Sequence, residues 1–328
     1  VKLLAFVAIG LFAIFGVFNG LDSVAETRRE NSEYQRLFTP WKLPEGFGIQ
    51  MILAMVAILC LPRQFHVAIV EFRDTTDLRT ARWIFPVYLL IFAALVVPIA
   101  LAGLTQFSGQ GVNPDTYVLS LPLAFDQPML TVLAFLGGFS AATGMVIVST
   151  VALAIMVSND IVMPLLLRSG LTKNRGARDL SQTLLRVRRI AILLLALAAF
   201  AYYRAIEAGV PLASIGFLSF SAAAQFAPAM LIGIYWERAN KTAAIWGLSL
   251  GVTSWVVWLL LPSFTAFGWL ENLLSVIPSV SFNQGAMYSL ALNTSAIVLI
   301  SLFTKPRPLD SVQKTADEAQ TGLITLRE

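Results

Sequence analysis

The sequence has little charge and almost none of the side chains that hold metal ions. Charged residues make up 13% of its 328 residues, about half of the roughly 25% usual in soluble domains. There is one cysteine, Cys60, and one histidine, His66. An intrachain disulfide and a metal centre built from several cysteines or histidines are therefore excluded. The scarcity of charge also excludes a disordered chain and argues against nucleic acid as a partner.

Apolar residues take the place of charge. They make up 57% of the chain, and the mean hydropathy is +0.75. A helix needs roughly 20 apolar residues to cross a hydrocarbon core of about 30 Å, and none of the apolar segments alternates with period two as barrel strands do. The segments near or above the spanning length are 2–20, 46–70, 83–106, 128–157, 188–207, 211–236, 243–262 and 285–303. The sequence therefore predicts an all-α membrane protein with about eight transmembrane helices.

Basic residues mark one side of the membrane. Of 23 lysines and arginines, 16 lie in the loops 71–82 and 168–189, in the turn after Trp236 and in the tail, whereas the loops 107–127 and 263–284 hold none. Since cytoplasmic loops carry the excess of Lys and Arg, both ends of the chain are predicted to be cytoplasmic. The expected organisation is a transmembrane domain at 1–304 and a cytoplasmic tail or linker at 305–328.

The second apolar segment contains a proline followed by polar side chains. Pro62 lacks an amide hydrogen and disrupts the helix around it, and Arg63 and Gln64 follow at once. One interpretation is a helix broken inside the membrane, where polar groups mark function. The other is that the helix ends at Leu61 and the polar groups lie in a cytoplasmic loop. The broken helix is favoured, because apolar residues resume at 67–70.

The fourth apolar run extends from 128 to 167 and is rich in small and hydroxyl residues. Ser140, Thr143 and Gly144 are spaced so that they share one face of a helix. Hydroxyl and carbonyl oxygens are ligands that suit hard cations, but small residues also let helices pack closely in lipid. Both interpretations stay open from the spacing alone.

The sixth apolar segment holds an amide and a proline, Gln225 and Pro228, in an otherwise apolar stretch. They predict either a second broken helix or an amide packed against a neighbouring helix. The sequence contains no Walker motif, dinucleotide fingerprint or HExxH motif, which argues against an enzyme. Broken helices are typical of secondary transporters, so transport is the favoured class.

Several stretches resemble the sodium/solute symporters, and most closely the symporter-like membrane domains fused to bacterial sensor histidine kinases. They are residues 1–20, 61–103 (beginning LPRQFHVAIVEF), 137–167 (beginning GGFSAATGMVIVST) and 224–247 (AQFAPAMLIGIYWERANKTAAIWG). The resemblance implies part of a five-helix inverted-repeat transporter fold, truncated at the N-terminus. It further implies a bacterial inner membrane, a small organic solute and Na⁺ as coupling ion, with no other cofactor.

The resemblance also implies site residues. The family's substrate contacts on its broken helix match Arg63, Gln64 and Phe65, and Gln225 lies on another helix that lines the substrate site. The family's sodium site uses a hydroxyl pair that corresponds here to Gly144 and its neighbour, neither of which has a hydroxyl. Sodium binding at Ser140, Thr143 and Gly144 therefore requires a shifted register.

Three functions compete at this point. The first is sodium-coupled symport of a small organic solute. The second is a sensory input domain that couples solute binding or transport to a histidine kinase beyond residue 328 in the same polypeptide, with 308–328 as the start of a linker. The third is a structural membrane scaffold with a dead pore.

Overall fold

The computed structural model describes residues 2–30, 46–70, 75–168, 177–206, 210–264 and 280–304. All regular structure in these ranges is helical, as expected in lipid, where each helix satisfies its own backbone hydrogen bonds. The helices are α1 (Lys2–Leu11), α2 (Leu21–Glu30), α3 (Phe47–Cys60), α4 (Pro62–Phe65), α5 (Thr75–Gln106), α6 (Tyr117–Ala124), α7 (Pro128–Met156), α8 (Met163–Arg168), α9 (Ala177–Ala205), α10 (Leu212–Ala224), α11 (Ala227–Tyr235), α12 (Lys241–Trp255) and α13 (Phe282–Phe303).

Short π-helical turns extend four of these helices. The turns Phe12–Val17, His66–Val70, Val157–Val162 and Val256–Leu260 follow α1, α4, α7 and α12, respectively. The chain divides into two compact units. The first unit comprises Val1–Pro44 and His66–Phe200, and the second comprises Glu45–Phe65 and Ala201–Glu328.

Five helical segments in the described ranges are long and apolar enough to cross a membrane: Thr76–Gln106, Pro128–Leu166, Leu212–Tyr235, Lys241–Ser263 and Phe282–Phe303. A sixth results if Lys2–Val17 and Leu21–Thr27, bent by 76°, form one span. The predicted all-α, multi-pass membrane protein is confirmed in this form, but the count of eight is not. The predicted segment 46–70 is divided, and residues 188–205 of the predicted segment 188–207 lie in α9, which has arginines at both ends of its apolar stretch.

In the first unit, α1 packs against α5 and α7, and α6 packs against α7. Its buried core includes Ile9, Ile99 and Leu121. The ring of Tyr117 lies directly against the backbone of Gly103, where an added Cβ would overlap the ring. The approach of α6 to α5 therefore depends on a glycine.

In the second unit, α12 and α13 pack against each other along much of their length. They run antiparallel, since the Asn240 amide at the start of α12 donates to the Thr304 hydroxyl at the end of α13. Gly247 and Gly251 form a Gly-x-x-x-Gly pair, which lets helices approach closely in lipid. A Cβ on Gly247 would overlap Ile297, so the close packing needs a glycine there.

Helices α3 and α10 complete the second unit around an apolar core. The core consists of Leu53, Leu218, Ala224, Leu259 and Ala286. The starts of α3 and α13 lie side by side, because Gln50 Nε2 donates to Asn283 Oδ1 over 3.2 Å.

Candidate functional site

The second apolar segment is interrupted at Leu61, and that this break lies inside the membrane stays a prediction. Helix α3 ends at Cys60, and Leu61 adopts an extended conformation with ψ of 122° before α4 begins at Pro62. Pro62 has no amide hydrogen for the carbonyl of Ile58, four residues earlier. At 14 residues, α3 is about 21 Å long, which is less than the hydrocarbon core of a bilayer.

The three residues matched to substrate contacts come directly after this break. Arg63 and Gln64 are half-buried, and Phe65 is 45% exposed. Within the described ranges, no side-chain hydrogen bond engages Arg63 or Gln64. That they bind a substrate stays a prediction.

The predicted interruption at Gln225 is a tightened turn rather than an unwound loop. Helix α10 ends at Ala224 and α11 begins at Ala227, and the amides of Gln225 and Phe226 bond to carbonyls three residues earlier, at 3.1 Å each. Pro228 cannot donate to the carbonyl of Ala224. The regular hydrogen-bond ladder is therefore lost over one turn.

The Gln225 side chain is fully buried and hydrogen-bonded to three other residues. Its Nε2 donates to Ser289 Oγ of α13 over 3.0 Å and to the Ser221 carbonyl over 3.3 Å. Asn293 Nδ2 of α13 in turn donates to the Gln225 carbonyl oxygen over 2.7 Å and to Oε1 over 3.1 Å. The amide is thus packed against a neighbouring helix, one of the two arrangements that the sequence left open.

The bonds continue to a second residue pair. Trp255 Nε1 donates to Ser221 Oγ over 2.9 Å, and that hydroxyl donates to the Leu218 carbonyl over 2.8 Å. The uncharged cluster of Ser221, Gln225, Trp255, Ser289 and Asn293, called the amide cluster below, joins α10, α12 and α13. An interior polar group is tolerated in lipid when it is hydrogen-bonded in this way.

The amide cluster depends on a glycine of α12. A Cβ added to Gly251 would lie 2.5 Å from Gln225 Oε1 and 2.6 Å from Asn293 Nδ2. Real Cβ atoms do not approach other atoms so closely, so Gly251 provides the space in which the two amides meet. Asn293 Oδ1 is buried and has no partner within the described ranges. Both amide hydrogens of Gln225 are in use, and any contact with a solute would require these bonds to open.

The residues predicted to bind sodium lie on an exposed face of α7 in the first unit. Ser140, Thr143 and Gly144 are all exposed. The Thr143 hydroxyl donates to the Phe139 carbonyl of its own helix over 2.8 Å, which leaves the lone pairs of its oxygen available to a cation. A Cβ on Gly144 would meet nothing within 4 Å. Among the described residues, no three His, Cys, Asp or Glu side chains are grouped as metal ligands.

The predicted site residues fall into two sets. Arg63, Gln64, Phe65 and Gln225 belong to the second unit, and the sodium residues belong to the first. Sequence reasoning missed Ser289, Asn293, Trp255 and Gly251. Two signals could have found them: Ser289 and Asn293 are four residues apart in an apolar segment, and Gly251 ends a Gly-x-x-x-Gly pair.

No model of a known protein family matches the chain, and no curated protein matches it either. The resemblance to sodium/solute symporters therefore rests on the stretches of sequence quoted above. The inverted-repeat fold and the residue roles that it implies stay predictions.

Proposed function

We propose that the chain is membrane-spanning machinery of a sodium-coupled symporter for a small organic solute. The observation that carries the proposal is the break at Leu61, which is followed by Arg63 and Gln64 in an otherwise apolar segment. Broken helices provide the binding groups of secondary transporters, because the interruption frees backbone carbonyls and helix ends inside the membrane.

In this proposal Arg63 and Gln64 supply the donors, and Phe65 supplies an apolar wall. The guanidinium of Arg63 would pair with a carboxylate on the solute. Gln225 has a supporting role, because its amide is committed to Ser289 and Asn293. It holds the junction of α10 and α11 against α13, and it reaches a solute only if these bonds open.

Sodium is assigned to the oxygens of Ser140 and Thr143, with Gly144 keeping the face open. The Thr143 hydroxyl points its hydrogen at its own helix, so its oxygen can face a cation. Alkali cations need several such oxygens, and the remaining ligands would come from outside this face.

Uptake into membrane vesicles that carry the whole gene product tests the proposal. A panel of radiolabelled carboxylates, amino acids and polyols is offered with and without a sodium gradient. We expect sodium-dependent uptake of at least one solute, and its loss in Gln64→Ala but not in Gln106→Ala, an exposed glutamine at the end of α5. Equal uptake in sodium-free buffer would refute the coupling.

The sodium residues are tested in the same vesicles. Thr143→Ala should abolish the sodium dependence of uptake. Thr150→Ala is the matched control, since Thr150 makes the same bond to the carbonyl four residues earlier, over 2.7 Å. If Thr143→Ala leaves the sodium dependence unchanged, the assignment is wrong.

Eight spans with both ends cytoplasmic are part of the proposal. In a Cys60→Ser background, an impermeant maleimide added to intact cells should label Ser108→Cys. Gln182→Cys should react only after permeabilisation. Both positions are exposed, so the reverse pattern of labelling would contradict the orientation.

The sensory alternative depends on residues 308–328, which lie outside the described residues. The coding sequence beyond residue 328 decides it. Phosphorylation-site and ATP-binding motifs there would support a kinase, and an early stop would rule it out.

A further inference from the structure

Helix α9 carries an apolar face that ends in arginines. Arg186, Arg189, Leu193 and Leu197 follow each other at helical spacing, so they share one face. The two leucines are 60% and 54% exposed, and Ile190 beside them is 57% exposed. Such exposed aliphatic side chains suit lipid chains, and the arginines stand at the boundary of that surface.

Among the described residues, no acidic side chain neutralises the arginines of this face. The sequence contains no acidic residue between Asp179 and Glu207. Arg186 and Arg189 are exposed, and within the described part of the chain neither forms an ion pair. Long basic side chains at the end of an apolar stretch extend their charged groups into the headgroup region.

Arg188, which lies between them, has a different role. Its Nη2 donates to Asn159 Oδ1 in the π-helical turn after α7, over 3.4 Å, and its Nε is buried. Arg188 therefore ties α9 to the end of α7 within the first unit. Arg186 and Arg189 lie on the exposed face that they share with Leu193 and Leu197.

We propose that Arg186 and Arg189 form a binding surface for the phosphate of an anionic phospholipid, whose chains lie along Leu193 and Leu197. Guanidinium groups bind phosphate oxygens with paired hydrogen bonds, and basic groups next to an apolar surface attract anionic headgroups. The two arginines bind the negative phosphate, and the two leucines on the same helix face contact the hydrocarbon chains. A ligand must therefore carry both groups.

Spin-labelled lipids test the proposal on the full chain in phosphatidylcholine vesicles. The immobilised fraction of spin-labelled phosphatidylglycerol is compared with that of spin-labelled phosphatidylcholine. We expect the chain to prefer phosphatidylglycerol, and Arg186→Gln with Arg189→Gln to reduce this preference roughly fivefold for each arginine. Arg186→Lys with Arg189→Lys, which keeps the charge, should retain most of it.

Arg188→Gln is the matched control, because it removes an arginine of the same helix that does not belong to this face. It should leave the lipid preference unchanged. An unchanged preference in the double glutamine variant would overturn the proposal. Displacement of the labelled lipid by soluble glycerol phosphate would also overturn it, since the surface would then bind free phosphate.

Discussion

The amide cluster and the exposed face of α7 both place uncharged polar residues on apolar helices but differ in where their hydrogen bonds go. In the amide cluster, Gln225 and Asn293 are fully buried and bond between helices. On α7, Ser140, Thr143 and Gly144 are exposed, and Thr143 bonds to its own helix. Small polar residues at helical spacing therefore do not by themselves show whether a helix face is packed or open. The deciding factor is whether another helix reaches them.

Replacing a glycine should give the largest difference in stability between the amide cluster and the exposed face of α7. Gly251→Leu places atoms where Gln225 and Asn293 meet, and overpacking typically costs about 1–3 kcal/mol in addition to the lost hydrogen bonds. We expect a large drop in the temperature at which the protein loses its monodisperse elution in detergent. Gly144→Leu, which meets no neighbour, should change that temperature little. Similar effects of the two variants would contradict the difference in packing between Gly251 and Gly144.

Removing one amide should cost more than removing both. Asn293→Leu leaves Gln225 Oε1 without its donor, and a buried unpaired polar group costs about 1–3 kcal/mol. Asn293→Leu with Gln225→Leu removes both partners and should recover part of the loss. Thr143→Val serves as the counterpart on α7 and should stay within about 0.5 kcal/mol of the parent. Strictly additive losses at Gln225 and Asn293, measured by thermal unfolding, would show that the two amides are not coupled.

A single bond at the edge of the amide cluster should have a smaller effect. Trp255→Phe removes the donor to Ser221, and hydrogen bonds between membrane helices average about 0.6 kcal/mol. Trp246→Phe is the control, because Trp246 lies on the same helix and is 57% exposed. Equal stability of the two variants would mean that the bond to Ser221 contributes nothing measurable.

Sodium should stabilise the protein through the exposed face of α7 and not through the amide cluster. If Ser140 and Thr143 bind Na⁺, sodium at a concentration equal to its Kd stabilises the protein by about 0.4 kcal/mol. The stabilisation should disappear in Thr143→Val and persist in Asn293→Leu, when sodium is compared with choline at equal ionic strength. A sodium effect that survives Thr143→Val would place the ion elsewhere.

Local chemistry explains the parts of this molecule that were predictable. The interruptions near Leu61 and Gln225 follow from Pro62 and Pro228, since a proline removes an amide hydrogen wherever the chain folds. The count of spans was less predictable. The segment 46–70 is divided at Leu61, and 188–207 has arginines at both ends of its apolar stretch, so apolar length alone does not establish eight spans and the count stays a prediction.

The partners of Gln225 were not predictable in the same way. The sequence shows that Gln225 lies in an apolar segment, but its partner Asn293 is 68 residues away along the chain. The choice between a packed amide and a free one depends on how closely α12 and α13 approach. That approach depends on Gly247 and Gly251, whose neighbours come from other helices.

Scarce charge and long apolar runs were enough to establish an all-helical, multi-pass membrane protein, because the bilayer imposes its length and polarity on every span. The positions of two prolines were enough to locate the helix interruptions. The tertiary structure alone decided which polar groups are satisfied. Burial and hydrogen bonding belong to pairs of helices, and the contact between Gln225 and Asn293 exists only because Gly251 leaves room for it.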